Sequence, residues 1–272
     1  MPKTKSMKPT KPAPARKAAK PKPAGGKGKM TVTEVMAALE KAGSAQTRKT
    51  YARHGAPEPM FGVSFADLKT FVKRIGVDND LAKALWATGN LDARLLAVKV
   101  ADPTRMAPAD LSRWAREARM PMLQGYVAQL ASEGPHSAEL ARKWSASSDA
   151  AESCAVWPLV AQMALRDEAS SDLWFEKLLA EIERTIHSAP NCHRDSMNQT
   201  LIAIGCRTAG LRKLATAAAR RIGKVEVDHG DTSCKTPDAA EYIEKCWAHS
   251  KSKGFESPAA HERSREPVRM RC

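Results

Sequence analysis

Apolar residues recur at helical spacing along most of the chain. One such segment follows Ser64 and carries apolar side chains at positions i, i+3, i+4 and i+7, which form one face of a helix: Leu68, Phe71, Val72 and Ile75. Ser64 suits the N-cap of this helix, and Gly76 suits its C-terminal end. The pattern therefore predicts an amphipathic helix between these two residues.

The same apolar stripe returns further along the chain. It occupies residues 175–186, and again residues 211–222, where Thr208 and Gly223 supply the start and stop signals. Alternation typical of a strand is confined to the short stretch 225–227. Helices of this length with short connections predict an all-α protein, either a helical bundle or an α-solenoid.

Weak internal repetition favours the solenoid. A leucine–tryptophan pattern and an asparagine–arginine pattern each occur twice: Leu81-Ala-x-x-Leu-Trp86 with Leu140-Ala-x-x-Trp144, and Asn90-x-x-x-Arg94 with Asn191-x-x-Arg194. Repeated units of this kind stack, and each helix pair buries its apolar face on the next pair. We predict a HEAT-like α-solenoid domain over residues 30–249.

The formal net charge of +14 is unevenly distributed. Residues 1–29 carry +10, residues 251–272 carry +3, and the remaining residues 30–250 carry only +1. The folded domain is therefore nearly neutral, and the basic character of the chain comes mainly from its N-terminal segment.

The N-terminal segment is rich in lysine and proline and has few apolar residues. Such a composition predicts a disordered tail over residues 1–29, and residues 250–272 are predicted as a disordered C-terminal tail. A basic tail binds a polyanion by releasing condensed counterions, with little sequence preference. The candidate DNA-binding residues of the tail are Lys3, Lys5, Lys8, Lys11, Arg16, Lys17, Lys20, Lys22, Lys27 and Lys29. The alternative is a tail that only increases solubility.

The sequence argues against a membrane-spanning or secreted protein and against a bound cofactor or metal. No apolar run is long enough to span a membrane, and no apolar region follows the N-terminal charges as it would in a secretory signal. We expect a cytoplasmic protein, nucleoid-associated if bacterial.

The six cysteines show no regular spacing, so reduced thiols are predicted. No phosphate-binding loop or cofactor motif occurs, and we expect neither cofactor nor metal.

Several segments resemble, in their order and spacing, the DNA alkylation repair family, whose best-known members are HEAT-like alkylpurine DNA glycosylases. The resemblance covers about residues 45–245 and rests on these segments: Phe61-Gly-Val-Ser-Phe-Ala-Asp-Leu68, Leu81-Ala-x-x-Leu-Trp86, Asp92-Ala-Arg-Leu-Leu-Ala97, Lys143-Trp144-Ser-Ala-Ser147, Arg194-Asp-Ser-Met-Asn-Gln-Thr-Leu-Ile-Ala-Ile-Gly205 and Gly223-Lys-Val-Glu-Val-Asp-His-Gly-Asp-Thr-Ser-Cys-Lys-Thr-Pro-Asp238.

The resemblance also implies where a glycosylase site would lie. Family glycosylases place a tryptophan and, four residues later, an aspartate whose carboxylate stabilises the positive charge that develops on the sugar. Here the tryptophan position falls near Met120 or Pro121, and the aspartate position falls on Gln124 or Gly125. No aspartate occurs anywhere in residues 111–131. The resemblance therefore implies the fold but weakens the expectation of the family's chemistry.

Two further functional positions of the family also differ in this chain. The arginine that faces the family's DNA groove aligns with Cys154, and a second groove tryptophan aligns with Gln199. Arg94 and Arg194 occupy equivalent places near predicted helix starts. They are candidates for phosphate contacts, and salt bridges within the solenoid are an equal alternative.

Asp228 and His229 form the most polar cluster of the domain together with Gly230 and Asp231. A histidine beside a carboxylate can supply acid–base chemistry or hold a metal, whereas a structural turn is the simpler interpretation.

The other cysteines, histidines and tryptophans favour structural roles. Zinc can use cysteine and histidine, but their order here matches no common finger: His229, Cys234, Cys246 and His249, or Cys192 and His193 with Cys206. Tryptophans can stack on bases, but core packing is the favoured interpretation for all five in helical stretches: Trp86, Trp114, Trp144, Trp157 and Trp174.

The leading hypothesis is a monomeric protein that binds double-stranded DNA along the concave face of the solenoid and lacks the usual glycosylase carboxylate. We lean against an enzyme. Two alternatives stay open. The chain is either an active alkylpurine DNA glycosylase that uses other residues, with Asp228 and His229 as candidates, or a helical scaffold that binds proteins.

Overall fold

The computed structural model describes residues 29–271, and within that range every regular element is helical. Fifteen α-helices follow one another: α1 Val32–Ala42, α2 Ala45–Arg53, α3 Phe65–Ile75, α4 Asn79–Ala87, α5 Leu91–Val100, α6 Pro108–Glu117, α7 Pro121–Glu133, α8 Ser137–Ser145, α9 Ala150–Cys154, α10 Val156–Arg166, α11 Asp172–Thr185, α12 Asn191–Gly205, α13 Ala209–Ile222, α14 Ala239–Ser252 and α15 Pro258–Arg263. Two short 3₁₀ helices lie at Pro103–Arg105 and Val268–Met270. The all-α prediction is confirmed.

Helix boundaries follow the start and stop signals of the sequence. The hydroxyl of Ser64 accepts a hydrogen bond from the backbone of Asp67 at the start of α3, and Thr208 caps α13 in the same way. Gly76 and Gly223 end these helices with φ near +70°, a conformation that costs glycine little. The amphipathic stripes of the two segments were therefore delimited correctly.

The helices stack as successive antiparallel pairs. The pairs are α4 with α5, α6 with α7, α8 with α10, α11 with α12, and α13 with α14, and short α9 lies inside the third pair. The second helices form a continuous row in which α5 packs on α7, α7 on α10, α10 on α12, and α12 on α14. This is the predicted solenoid arrangement, because each pair buries its apolar face on its neighbours.

Tryptophans fill the core between the pairs. The rings of Trp86 and Trp114 stack with their centroids 4.2 Å apart, and Trp144 donates its ring N–H to Ser112. Trp157 is also buried, whereas Trp174 is partly exposed. The prediction that these residues pack in the core is confirmed for the four buried rings.

Asp92 joins the first and third of the segments that carry the family resemblance. Its buried carboxylate accepts hydrogen bonds from the backbone N–H groups of Phe61, Gly62 and Val63, at 2.6, 3.0 and 2.8 Å. Gly62 has φ +79°, and a Cβ there would lie 2.6 Å from the backbone oxygen of Ser44. The loop before α3 therefore depends on a glycine and on a carboxylate thirty residues away.

The structure tests only one of the two predicted disordered tails. Residues 1–28 lie outside the described residues, and so do nine of the ten candidate cations of the N-terminal tail. The tenth, Lys29, is exposed and lies 3.3 Å from the carboxylate of Asp78. The prediction of a disordered C-terminal tail over residues 250–272 is wrong for the described part, because α14 continues to Ser252 and the chain beyond it packs on the solenoid.

The C-terminal segment, residues 253–271, acts as a strap across the ends of the second helices. The backbone N–H of Ala259 donates to the carbonyl of Cys206 at the end of α12. Arg166 at the end of α10 donates to the carbonyl and the carboxylate of Glu262. The strap was missed because polar contacts hold it rather than an apolar stripe.

Arg269 anchors the far end of the strap. Its side chain is 6% exposed, and the guanidinium donates to the carbonyls of Val98 and Lys99 at the end of α5 and pairs with Glu133 at 2.8 Å. In return the ammonium of Lys99 donates to the carbonyl of Arg269. The segment therefore joins α5 and α7 to the C-terminus through buried, charge-assisted hydrogen bonds.

No helix among the described residues is long and apolar enough to cross a membrane.

Replacing Arg269 should destabilise the protein strongly. Arg269→Ala leaves the Glu133 carboxylate without its buried partner, and we expect a loss of about 3 to 5 kcal/mol in the free energy of unfolding. Arg265→Ala is the matched control, because that guanidinium is half-exposed and should cost about 1 kcal/mol or less. Urea titration measures both variants, and equal losses would contradict the anchoring role of Arg269.

Candidate nucleic-acid interface

The connections inside the helix pairs all lie at one side of the solenoid, which we call the turn edge. At this edge the first helix of a pair ends and the second begins, and its segments are residues 88–90, 118–120, 146–155, 186–190 and 223–238. Polar contacts join these segments from pair to pair, as described below. The N-terminal ends of the second helices, which carry partial positive charge, are thereby gathered along one line.

Arginine–glutamate contacts join the first three pairs at the turn edge. Arg94 of α5 donates to the carbonyl and the carboxylate of Glu117 at the end of α6. Arg116 of α6 lies 3.3 Å from the buried carboxylate of Glu152 in α9, which also accepts a 2.7 Å hydrogen bond from Ser147. The carboxylates of Glu117 and Glu152 are thus each paired with an arginine.

A disulfide and an amide pair continue the turn edge toward the C-terminus. Cys154 at the end of α9 is bonded to Cys192 in the first turn of α12. The prediction of reduced thiols is wrong for these two cysteines, because stacking brings residues 38 positions apart into contact. Further along, the side-chain amide of Asn191 exchanges two 2.8 Å hydrogen bonds with the backbone of Asp228.

A cavity of about 320 Å³ opens beside the disulfide, between α8, α10, α11 and α12. Its walls include Trp157, Trp174 and His193, and Arg142 lies at its exposed rim. His193 lies 3.3 Å from the ring nitrogen of Trp157 and 3.4 Å from the hydroxyl of Ser153. Burial lowers the pKa of His193, so its imidazole is neutral at neutral pH.

The two arginines considered for phosphate contacts are engaged within the protein. Besides its contacts with Glu117, Arg94 donates to the carbonyl of Trp86 and lies over the indole ring. Arg194 donates to the carbonyls of Ala189 and Glu226. Their equivalent positions at the starts of α5 and α12 therefore correspond to a repeated structural contact.

The Asp228–His229 cluster forms a turn. The carboxylate of Asp228 accepts a hydrogen bond from the backbone of Gly230, which has φ +58°, and His229 lies 3.0 Å from the hydroxyl of Thr236. The carboxylate and the imidazole are thus each occupied locally, in the arrangement of the simpler interpretation.

The remaining cysteines and histidines within residues 29–271 do not assemble as a zinc finger. Cys206 and Cys246 share a hydrogen bond, which raises the pKa of Cys206 and lowers that of Cys246. Cys234 is exposed, and His249 contacts the ring of His261. Cys192 and His193 instead meet Cys154, a grouping that the sequence did not suggest.

Three basic side chains at the turn edge were not identified from the sequence. Arg119 lies between α6 and α7, and Arg142 and Lys143 lie in the last turn of α8. All three are exposed, and none forms an ion pair with another residue of the described range. The sequence contained two indications of these residues. Lys143 belongs to a segment that carries the family resemblance, and each of the three residues lies at a predicted helix end.

Comparison with known proteins places this architecture in a family. The sequence model of the DNA alkylation repair enzyme family matches residues 35–243. The chain belongs to the DNA alkylation repair enzyme family. The resemblance proposed from the sequence is thereby confirmed.

Relatives of similar length have no stated function. The uncharacterized protein Lin0241 of Listeria innocua is 28% identical over 223 residues, which cover 79% of this chain and 97% of that protein. The uncharacterized protein Lmo0209 of Listeria monocytogenes is 26% identical over the same shares.

A solved structure confirms the HEAT-like fold. It is described as a new family of proteins related to the HEAT-like repeat DNA glycosylases with affinity for branched DNA structures. The similarity has a TM-score of 0.73 at 33% identity and covers 83% of this chain and 95% of that chain.

The positions aligned with the family's functional residues lie on or near the turn edge. Gln124 is half-buried in the first turn of α7, after the buried Met120 and the exposed Pro121. Cys154 is buried in the disulfide. Gln199 is exposed on α12, on the helix face that also carries Cys192 seven residues earlier.

Arg94 and Arg142 should respond differently to removal. Arg94→Ala deletes hydrogen bonds to α4 and α6, so we expect the free energy of unfolding to fall by about 2 kcal/mol. Arg142→Ala removes an exposed side chain, and its effect should stay within about 0.5 kcal/mol. Chemical denaturation compares the two variants. An unchanged free energy of unfolding in Arg94→Ala would contradict the structural role of Arg94.

Proposed function

We propose that this chain binds branched duplex DNA along the turn edge and does not excise bases. The observation that carries the proposal is the set of three exposed cations at that edge, Arg119, Arg142 and Lys143, none of which forms an ion pair within residues 29–271. The solved structure similar to this chain comes from a family with affinity for branched DNA. A shared fold and family support the same class of ligand here.

Local geometry supports phosphate contacts at this edge. Helices α7 and α12 begin without a side-chain cap, so backbone N–H groups in their first turns remain available to a phosphate oxygen. Arg119 directly precedes α7. Backbone donors, helix dipoles and exposed cations together favour the sugar–phosphate chain, which carries no sequence information.

The lysine-rich N-terminal segment adds a second, less specific contribution. Residues 1–29 carry ten cations and no acidic residue. Such a segment releases counterions from any duplex, and it should therefore increase affinity without preferring a branch point.

The residues at the family's catalytic positions support the proposed absence of base excision. Gln124 is a neutral amide, which cannot supply the charge of a carboxylate to a developing cation. The nearby carboxylates of Glu117 and Glu152 are bonded to Arg94 and Arg116.

The decisive binding experiment removes cations from the turn edge. For Arg142→Ala with Lys143→Ala we expect affinity for a four-way DNA junction to fall about tenfold or more, and the slope of log affinity against log salt to decrease by about 2. The control is Lys251→Ala with Lys253→Ala, an equal charge change near the end of α14. Fluorescence anisotropy at several salt concentrations measures all three proteins. Equal losses in both double variants would contradict binding at the turn edge.

Deleting residues 1–29 tests the contribution of the tail. We expect weaker binding to linear and four-way DNA by the same factor, together with a smaller salt slope, because the tail contacts phosphates of either substrate. The ratio of the two affinities should stay unchanged. A deletion that abolished the preference for the junction would contradict this division of roles.

The proposed absence of base excision has its own test. Incubation with alkylated duplex DNA should release methylated bases no faster than the spontaneous rate, as measured by chromatography of the free bases. Release that exceeds this rate and is lost in Asp228→Ala would overturn the proposal in favour of a glycosylase with non-standard residues.

A further inference from the structure

Three potential metal ligands converge at the turn edge. Cys154, Cys192 and His193 each contribute one ligand atom, and these atoms all lie within 4.8 Å of one another. Two of the residues come from the first turn of α12, and the third ends α9. No other group of three or more histidine, cysteine or acidic side chains within residues 29–271 is arranged in this way.

We propose that these residues form a redox-dependent zinc site. In the oxidised chain the two sulfur atoms form the disulfide. In the reduced chain two thiolates and the imidazole of His193 bind Zn²⁺, with the fourth position open to solvent. Two sulfurs and one nitrogen are a donor set that suits this borderline-soft cation.

The geometry allows both states with little movement of the backbone. The Cα atoms of Cys154 and Cys192 are 6.1 Å apart, and the two cysteines lie on different helices whose ends adjoin. Cys192 is exposed, so reductant and metal can reach it, whereas Cys154 is buried behind it. The site is thus open on one side only, which matches three protein ligands and one solvent ligand.

The imidazole of His193 is available to a metal. Its two nitrogens face Trp157 at 3.3 Å and Ser153 at 3.4 Å, and both contacts are long for hydrogen bonds. Nδ1 can bind the cation while Nε2 donates its proton to the hydroxyl of Ser153, which orients the ring as the outer contacts of metal-bound histidines commonly do. The indole N–H of Trp157 then gives up its contact with Nδ1, because it is a donor only. Trp157 is therefore a built-in fluorescent reporter beside the site.

Electrons and protons balance in the conversion of the disulfide to the zinc-bound thiolates. A small-molecule dithiol supplies two electrons and two protons, the Cys154–Cys192 bond breaks to two thiols, and the dithiol becomes a cyclic disulfide. Zn²⁺ then displaces the two thiol protons and binds the thiolates. Either the disulfide or the metal links α9 to α12, so the contact across the turn edge persists in both redox states.

Cobalt titration tests the proposal on the full chain without DNA. After reduction with dithiothreitol and anaerobic removal of the reagent, Co²⁺ should produce a thiolate-to-cobalt charge-transfer band that saturates at one equivalent and is abolished by Zn²⁺. The unreduced protein should produce no such band. The fluorescence of the reduced protein should change over the same titration, because Trp157 adjoins the site.

Variants localise the metal. Cys192→Ser and His193→Ala should weaken Co²⁺ binding about tenfold or more. Cys246→Ser is the matched control, because that residue belongs to the separate Cys206–Cys246 pair and should leave binding unchanged. Circular dichroism checks that each variant is folded. No charge-transfer band in the reduced protein, or an equal band in Cys192→Ser, would overturn the proposal independently of any result with DNA.

Discussion

Parallel stacking of the second helices is the constraint on which the rest of the structure depends. Because α5, α7, α10, α12 and α14 run side by side, their starts gather at the turn edge and their ends gather at the opposite one. Contacts that are far apart in sequence follow from this arrangement. Examples are Arg116 with Glu152 and Cys154 with Cys192. At the turn edge the N-terminal ends of the second helices therefore adjoin the C-terminal ends of the first helices.

Arginines neutralise the edge at which the second helices end. Arg269 donates to the last carbonyls of α5, and Arg207 donates to the carbonyls of Met163 and Ala164 near the end of α10. These guanidiniums are buried and satisfied within the protein. The turn-edge cations Arg119, Arg142 and Lys143, by contrast, are exposed and form no ion pair with another described residue. The proposed DNA contact follows from this asymmetry, although the domain is nearly neutral as a whole.

Local sequence signals predicted the helices well, but they predicted poorly the polar side-chain contacts between helices that are distant in sequence. Ser64, Thr208 and the closing glycines act within a few residues, so the helices that they delimit can be identified without the fold. Arg269 holds the strap through carbonyl groups of α5, 170 residues away, and no local pattern indicates such a partner. The same limitation applies to the disulfide and to Arg94, whose intramolecular role depends on how one pair stacks on the next. The family resemblance aligned Cys154 with a groove-facing arginine, but only the structure brought it to Cys192 and His193.

Hydrogen–deuterium exchange with and without a four-way DNA junction tests the central claim most directly. If DNA binds along the turn edge, bound junction should slow amide exchange in residues 118–124, 142–155 and 188–194. Exchange in the connections at the opposite edge, residues 134–136, 167–171 and 206–208, should remain unchanged. Protection confined to the opposite edge, or no protection of the folded domain while the junction is bound, would contradict the account.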